Sequence, residues 1–280
     1  MPVRIVTDST CDLPEETVAR YGIHVVPLYI NIGKQGFLDG INITREEFYN
    51  KLPSFPVHPT TAVPSIERFR AAYQAFADEG ASDVLSIHIS SSLSAVLDVA
   101  RLAAQETHSI PVTVFDSKQL SLGTGFLAET AGKMAAEGRP IDEIQPALHD
   151  QIRRTHVFAV LDTLEYLQRS GRMNRYLAGF ATLLQVKPIL KMYNGMPGTE
   201  RVRTREHAMK RLVEMLTKIG PLEKIAIVHT HASLERLGEL RVLATPLLPS
   251  GDILTRDITP LIGAHIGPGA MGFAAVGVSA

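Results

Sequence analysis

Hydroxyl-bearing side chains cluster at three points of the 280-residue sequence, two of them directly after a predicted strand. The first cluster, T-D-S-T-C-D-L-P at Thr7 to Pro14, follows the β-rich run Val3 to Thr7. Thr60 to Ser65 lies in a proline-rich extended segment, and Ser90 to Ser94 follows the predicted strand Val84 to Ile89. Open α/β sheets bind ligands at the carboxyl ends of their strands, where helix N-termini attract anions. At Thr7 to Pro14, turn formation and helix capping are the favoured role, and a ligand site is the alternative. The four serines between 90 and 94 exceed what one helix cap needs and favour a site for an anionic group.

A glycine-rich segment towards the C-terminal end is a fourth candidate. It reads H-I-G-P-G-A-M-G, from His265 to Gly272. Glycines such as Gly267 and Gly269 let the backbone approach a ligand closely, and an imidazole near neutral pH can donate a hydrogen bond to an anion. A single histidine can equally have a structural role, so His265 is a candidate because of its context.

Arginines form the last signal. Arg172 ends the run L-E-Y-L-Q-R-S-G-R, and Arg201, Arg203 and Arg205 alternate along a second segment. One interpretation is a solvated surface. The other is a patch that docks a partner or faces a phosphate group.

The motifs of several enzyme classes are missing from the sequence. No glycines flank the serines of Ser90 to Ser94, so the G-x-S-x-G elbow of hydrolases is absent, as is a P-loop. The G-x-G-x-x-A match at Gly123 to Ala128 starts too far after its strand for a dinucleotide site and predicts close helix packing. His229 and His231 lack a neighbouring cluster of carboxylates or cysteines, so no metal site is expected. A nucleophilic serine or Cys11 is the alternative that would make the chain an enzyme.

Charge and composition argue against several other classes of protein. Lys and Arg total 28 against 29 Asp and Glu, and the net charge of −1 argues against nucleic acid as the main partner. The single cysteine excludes an intrachain disulfide, and no stretch of about 18 apolar residues predicts a membrane span. Since no signal-peptide pattern is found either, we expect a soluble, cytoplasmic protein with no stable membrane insertion.

The elements that must position these residues alternate between short β-rich runs and helical patterns. Thr44, with Glu47 three residues later, predicts a capped helix start, and a long helix is predicted over Arg205 to Ile219. This alternation predicts an α/β fold with mainly parallel sheets. The length fits roughly two domains. The pattern restarts near residue 155, which predicts an N-terminal α/β domain over 1–155 and a C-terminal α/β domain over 156–280.

In their order and spacing, these motifs resemble the DegV family of fatty-acid-binding proteins over essentially the whole chain. The motifs that carry the resemblance are T-D-S-T-C-D-L-P, T-A-V-P-S at Thr61 to Ser65, I-S-S-S-L-S at Ile89 to Ser94, F-D-S-K at Phe115 to Lys118, L-E-Y-L-Q-R-S-G-R at Leu164 to Arg172, K-P-I-L at Lys187 to Leu190, V-R-T at Val202 to Thr204 and H-I-G-P-G at His265 to Gly269. Each motif is short, and only the full set is specific.

The resemblance implies two α/β domains with one long-chain fatty acid bound between them, no catalysis by this chain and no cofactor. Hydroxyl groups, the histidine and the glycine-rich loop are implied to hold the carboxylate, with an arginine supporting that polar end. The implied ligand-binding residues are Thr61, Ser92, Ser94, His265, Arg172, Gly267 and Gly269. Which of the two serines contacts the carboxylate is left open by the sequence.

The resemblance also implies a partner. In bacteria with a fatty-acid kinase, such a protein presents its bound acid to a separate ATP-binding kinase subunit, which forms an acyl phosphate. Arg203, in V-R-T, matches the family's candidate residue for contact with that subunit. The alternatives are a phosphotransferase of the dihydroxyacetone kinase class or a serine-dependent lipid hydrolase acting on its own, and an interaction protein that uses the arginine patch.

Two departures from the family pattern concern the polar end of the expected site. The family commonly has T-S-Q-P-S where this chain has Thr61-Ala62-Val63-Pro64-Ser65, so an apolar pair replaces a polar one. L-S-A-V-L at Leu93 to Leu97 stands where the family has L-S-G-T-Y. Both changes remove polar groups, and we expect them to alter the geometry of the head-group site.

Overall fold

The computed structural model describes residues 2–172, 187–248 and 253–279. Its strands are β1 (Val3–Asp8), β2 (His24–Val26), β3 (Tyr29–Ile32), β4 (Gln35–Leu38), β5 (Thr60–Ala62), β6 (Asp83–His88), β7 (Val112–Asp116), β8 (Thr155–Val160), β9 (Lys187–Tyr193), β10 (Met196–Val202), β11 (Leu222–His229), β12 (Leu254–Asp257) and β13 (Met271–Gly277). Its α-helices are α1 (Glu15–Tyr21), α2 (Arg45–Lys51), α3 (Ile66–Asp78), α4 (Val96–Gln105), α5 (Leu122–Ala136), α6 (Ile141–Arg154), α7 (Glu165–Arg169), α8 (Arg205–Ile219), α9 (Leu234–Ala244) and α10 (Pro260–Ile266). The α/β class predicted from the sequence is confirmed.

The first sheet has the parallel arrangement that the sequence predicts. Its strand order is β2-β1-β6-β7, and every neighbouring pair is parallel. Helices connect successive strands, as parallel pairing requires. The carboxyl ends of β1 and β6 therefore meet at one edge, where the clusters that begin at Thr7 and at Ser90 follow them.

The expectation of mainly parallel sheets is wrong for the second sheet. Its order is β10-β9-β8-β13-β11-β12, and only β11 and β12 pair in parallel. Two features account for the difference. Asn194 and Gly195, with φ of 46° and 80°, form the tight turn that folds β9 and β10 into a hairpin. The last strand, β13, inserts between β8 and β11 and runs antiparallel to both.

A small antiparallel sheet, β4-β3-β5, completes the strand pairing. β3 and β4 form a hairpin, with Tyr29 opposite Leu38 and Ile32 opposite Gln35. β5 pairs with β3 so that Thr61 lies opposite Ile30, a fully buried residue. This pairing holds the Thr60 to Ser65 segment in an extended conformation against the core.

Local signals in the sequence explain where several helices begin. Thr44 and Glu47 form the predicted reciprocal capping box at the start of α2. The predicted helix over Arg205 to Ile219 is observed with these bounds, and the Thr204 side chain caps it. In α5, a methyl group at Gly125 would collide with the Cys11 carbonyl oxygen, so the G-x-G-x-x-A match serves close packing as predicted.

The hydrophobic core is continuous across the predicted domain boundary. α6 ends at Arg154 and β8 begins at the next residue. One buried cluster includes Ile5 of the first sheet and Val228 of the second, with α5 and α6 packed between them. A second cluster fills the other face of the first sheet, and a third lies between the second sheet and α8 and α9.

Candidate functional site

A cavity of about 640 Å³ lies where the first sheet, α10 and the second sheet meet. Its described lining comes from segments far apart in the chain: Thr10, Leu28, Thr61, Ala62, Val63, Ile89, Ser91, Leu93, Ser94, Ala95, Asp98, Leu120, Ser121, Val157, Phe158, Ala159, Leu161, Arg172, Leu190, Lys191, Met192, Val228, Ile258, Leu261, Ile262, His265 and Ile266. We call it the central cavity. Its volume is typical of small-molecule sites, which range over about 300–1,000 Å³.

The apolar wall of the central cavity is built largely from alternate residues of the second sheet. Val157 and Leu161 of the β8 segment belong to the core cluster on one face, whereas Phe158 and Val160 belong to the cluster behind the sheet. This alternation follows from the two-residue repeat of a strand. Ala159 shares the cavity face, and β9 and β11 add further aliphatic side chains. The wall is suited to an extended apolar ligand.

The structure brings Thr61 and His265 together. Thr61 Oγ1 lies 3.2 Å from His265 Nε2, although 204 residues separate them in the sequence. Thr61 is held by β5, and His265 lies in the last turn of α10, a helix that the sequence analysis did not predict. Both side chains are partly buried and line the central cavity. Together they offer hydrogen bonding groups to the polar end of a ligand.

The serine cluster divides into different roles. Ser94 and Ser91 line the central cavity, whereas Ser92 is not among the described lining residues. The Ser92 hydroxyl lies 2.9 Å from Ser90 Oγ, and Ser91 Oγ donates to Asp116 at 2.6 Å. Ser94 Oγ accepts the Val96 N–H at 3.4 Å and donates to no other described residue, so its proton can serve a ligand. This loop precedes α4.

The two glycines proposed for the site lie beside it. The Gly267 N–H donates to Gly263 O at 2.8 Å, and the Gly269 N–H donates to Thr230 O at 2.6 Å. Neither glycine is among the described residues that line the central cavity. Gly267 and Gly269 have left-handed φ values of 77° and 82°. A Cβ atom would collide with Tyr166 at Gly267 and with the Asp162 carboxylate at Gly269, so both positions require glycine. Both therefore shape the turn between α10 and β13.

The arginines occupy separate places. Arg172 lines the central cavity and is half-buried. Arg203 is exposed in the short connection between β10 and α8. Arg203 is not among the described residues of the cavity lining, so its surface position suits contact with another molecule rather than with the cavity contents.

The carboxylate of Asp8 organises two segments of the cavity lining. It accepts the backbone N–H groups of Thr10 at 3.0 Å and Ile89 at 3.2 Å. His88 Nδ1 lies 2.9 Å from the same carboxylate, and His88 Nε2 lies 2.7 Å from Ser86 Oγ. Burial raises the pKa of Asp8, but the hydrogen bond and attraction of His88, with the bonds from Thr10 and Ile89, lower the pKa overall.

A second buried carboxylate, that of Asp12, lies at the other side of the 3₁₀ turn Ser9–Cys11. It is 2.9 Å from Arg45 Nη1 and accepts the Ser121 hydroxyl at 2.6 Å and the Thr259 N–H at 2.9 Å. Burial raises the pKa of Asp12 to about 6, against the opposing effect of Arg45. From the sequence, the motif that contains Asp12 is expected to form a turn and a cap, with a ligand site as the alternative. Ser121, Leu120 and Asp98 were not identified, because no local pattern places them at a cavity.

The structure contains a serine–histidine–aspartate chain, but it is closed to substrate. Ser86, His88 and Asp8 are each 0% exposed, and Ser86 Oγ lies 2.9 Å from Tyr73 OH. None of the three is among the described residues that line the central cavity. A nucleophile must reach its substrate, so this arrangement does not support the hydrolase alternative. Among the described residues, the hydroxyl groups of the serines between 90 and 94 form hydrogen bonds with one another, with Asp116 and with the backbone.

Two further properties concern the described part of the chain as a whole. In 2–172, 187–248 and 253–279, no group of three or more His, Cys, Asp or Glu side chains could hold a metal ion. His229 and His231 instead approach one carboxylate, that of Asp257, at 2.9 Å and 3.8 Å. Within the same ranges, every helix is too short or too polar to cross a bilayer.

Known proteins resemble this chain in sequence and in fold. Residues 2–277 match the profile of the family described as "Uncharacterised protein, DegV family". A DegV domain-containing protein of Streptomyces coelicolor is 34% identical over 274 residues, which are 96% of each chain. A DegV family protein from Thermus thermophilus, described by its fatty acid binding, has a TM-score of 0.88 at 34% identity and covers 99% of this chain and 100% of its own.

A further solved structure agrees. DegV of Bacillus subtilis, described as a fatty acid binding protein, has a TM-score of 0.89 at 28% identity and covers 99% of this chain and 100% of its own. The likeness therefore spans both sheets and all the segments that line the central cavity. With nearly the whole length matched in sequence and in structure, this chain belongs to the DegV family.

Proposed function

We propose that this protein is a non-catalytic carrier that binds one long-chain fatty acid in the central cavity. The observation that carries the proposal is the Thr61–His265 pair, 3.2 Å apart, at a cavity of about 640 Å³ whose remaining walls are mostly apolar. Thr61, His265 and Ser94 hold the carboxylate, with Arg172 supporting the charge. Relatives over the full chain length are described as binding fatty acids, which supports this ligand class.

The chemistry of the lining matches the two ends of such a ligand. A carboxylate removed from water needs hydrogen bond donors, because its burial without partners is costly. Hydroxyl groups and an imidazole supply them. Each buried methylene contributes about 0.8 kcal/mol, so a long chain along the wall of β8, β9 and β11 offsets the cost of association. Ala62 and Val63, which also line the cavity, extend the apolar surface close to Thr61.

We propose further that the carrier acts in the cytoplasm and presents the carboxylate to a separate ATP-binding kinase subunit. The half-buried Arg172 and the exposed Ser91 and Asp98 are the lining residues that support an opening near the polar end. Arg203, exposed between β10 and α8, is the candidate contact for the partner. The chemistry of ATP then belongs to the partner, and this chain supplies binding and orientation.

Native mass spectrometry of the purified protein, followed by organic extraction, tests the ligand. We expect one fatty acid per chain, whose mass gives its length. The double variant Thr61→Val, His265→Ala should lose most of the bound acid, because both changes remove hydrogen bonding groups from the same carboxylate. Protein that is empty and takes up no added fatty acid, or a double variant with unchanged affinity, would refute the proposal or its site, respectively.

A further inference from the structure

The carboxylate of Asp12 joins three segments that are distant in the sequence. It pairs with Arg45 of α2, accepts the Ser121 hydroxyl just before α5, and accepts the Thr259 N–H just before α10. Asp12 is 1% exposed and has a left-handed φ of 57°, a conformation that Asp and Asn tolerate better than other non-glycine residues. The residue is therefore placed, by its own backbone, to bridge both halves of the chain.

Thr259 connects this bridge to α10. It is the N-cap residue of that helix, and its Oγ1 accepts the Leu261 N–H at 3.2 Å. The same hydroxyl donates to Asp39 Oδ2 at 2.6 Å. Two buried carboxylates, those of Asp12 and Asp39, thus hold the backbone and the side chain of one N-cap residue. Since the cap fixes where the helix starts, the two acids determine the position of α10.

The position of α10 determines the geometry of the polar end of the central cavity. His265, in the last turn of α10, meets Thr61 of β5 at 3.2 Å, and three more α10 residues line the cavity. Tyr49 packs against Gly263 and donates to Ile258 O at 2.8 Å, so the helix also has a close lateral contact. Because α10 has only seven residues, the position of its N-cap fixes the position of His265.

We infer that Asp12 is a positioning residue for fatty-acid binding, which acts through Thr259 and α10 to set His265 against Thr61. The expected effect of Asp12 on fatty-acid affinity rests on the proposed function. Its expected effect on the position of His265 does not. Asp12 is not among the described residues that line the central cavity, so it does not touch a ligand bound there. Asp12 instead holds α10, the helix that carries His265.

The charges around Asp12 give the arrangement a pH dependence. The titratable and charged groups that act on it are Arg45 and Tyr49 from α2, Arg256 from β12, Asp39 before α2 and Cys11 beside it in the chain. Ser121 and Thr259, on the α5 and α10 sides, are uncharged. Because burial raises the pKa of Asp12 to about 6, the carboxylate is ionised above that pH and loses its attraction for Arg45 as the pH falls through it.

The test compares Asp12→Asn with Glu15→Gln in the full chain. Asparagine keeps the size and the left-handed backbone but not the charge or the Ser121 acceptor. Glu15, exposed at the start of α1, is a matched acid that does not hold α10. Binding of radiolabelled palmitate to delipidated protein is measured from pH 5 to pH 8. We expect Asp12→Asn to bind about tenfold more weakly at pH 8 and to converge with the wild type towards pH 5, while Glu15→Gln follows the wild type throughout.

Two variants of Thr259 separate the loss of the capping hydroxyl from a general loss of folding. Thr259→Ser retains the capping hydroxyl and should bind normally, whereas Thr259→Val should weaken binding at every pH. A constant ratio between wild type and Asp12→Asn across the pH range, or equal affinities at pH 8, would overturn the inference while leaving the proposed function intact.

The NMR signal of the His265 ring provides a readout that needs no ligand. It should shift in Asp12→Asn and in Thr259→Val but stay unchanged in Glu15→Gln. If the wild type binds no palmitate, the proposed function fails, and the His265 signal alone decides the inference. An unshifted signal in both variants contradicts it.

Discussion

Single residues decide which hydroxyl groups can serve a ligand. The four serines between 90 and 94 look equivalent in sequence, but their hydrogen bonds differ. Ser90 and Ser92 are hydrogen-bonded to each other. Ser91 and Ser94 both line the central cavity, but Ser91 donates to Asp116, whereas the Ser94 hydroxyl donates to no other described residue. Which serine contacts the carboxylate, left open by the sequence, therefore becomes a sharp prediction.

Ser94→Ala should weaken fatty-acid binding, and Ser92→Ala should not. A hydrogen bond to a charged group contributes about 1.5–3 kcal/mol, which corresponds to a loss of affinity of roughly 10-fold to 100-fold. The two variants remove the same atom two residues apart, so each controls for the other. Titration calorimetry with palmitate measures the difference. Equal effects of the two changes would remove Ser94 from the site.

At the scale of elements, helices were easier to predict than strands. The bounds of α8 and the capping box of α2 follow from local periodicity and from side chains within one turn. β10 and β13 were missed, and with them the antiparallel character of the second sheet. The pairing of β13 between β8 and β11 depends on residues more than 40 positions away, which no local pattern encodes.

The packing of α10 against α2 gives a prediction for one glycine. A methyl group at Gly263 would collide with the Tyr49 hydroxyl, so Gly263→Ala should displace α10, destabilise the fold by about 1–3 kcal/mol and weaken ligand binding. Gly238→Ala is the control, because Gly238 is an exposed helical glycine of α9 with open space around it. That change should stabilise the protein by about 0.8 kcal/mol. Urea denaturation measures both, and a stable Gly263→Ala with normal binding would contradict the packing argument.

At the scale of the whole molecule, two buried acids make the free energy of unfolding depend on pH in opposite directions. The folded pKa of Asp8 is below its ordinary value of 3.8, so the stabilisation from Asp8 is present above that pH and is lost as the pH falls through the folded pKa. Burial raises the pKa of Asp12 from 3.8 to about 6, so its contribution to stability declines as the pH rises between these values.

Free energies of unfolding from pH 2.5 to pH 7.5 separate the two acids. Asp8→Asn should reduce the loss of stability below about pH 4, and Asp12→Asn should remove a decline between about pH 4 and pH 6. Each variant controls for the other, because both replace a buried carboxylate within one short segment. If the free energy of unfolding of each variant follows the same pH dependence as that of the wild type in these pH ranges, the pKa directions of both acids are wrong.

The sequence by itself determined the α/β class, the family and most helices, because these depend on periodicity, capping and motif order within short windows. It also identified Thr61, Ser94, Arg172 and His265 as candidates, all of which line the central cavity. Only the tertiary structure decided which serines line the cavity, that Thr61 meets His265, and that Asp12 holds the start of α10. These contacts join residues 204 and 247 positions apart, and their geometry arises when the two sheets pack together around α5 and α6.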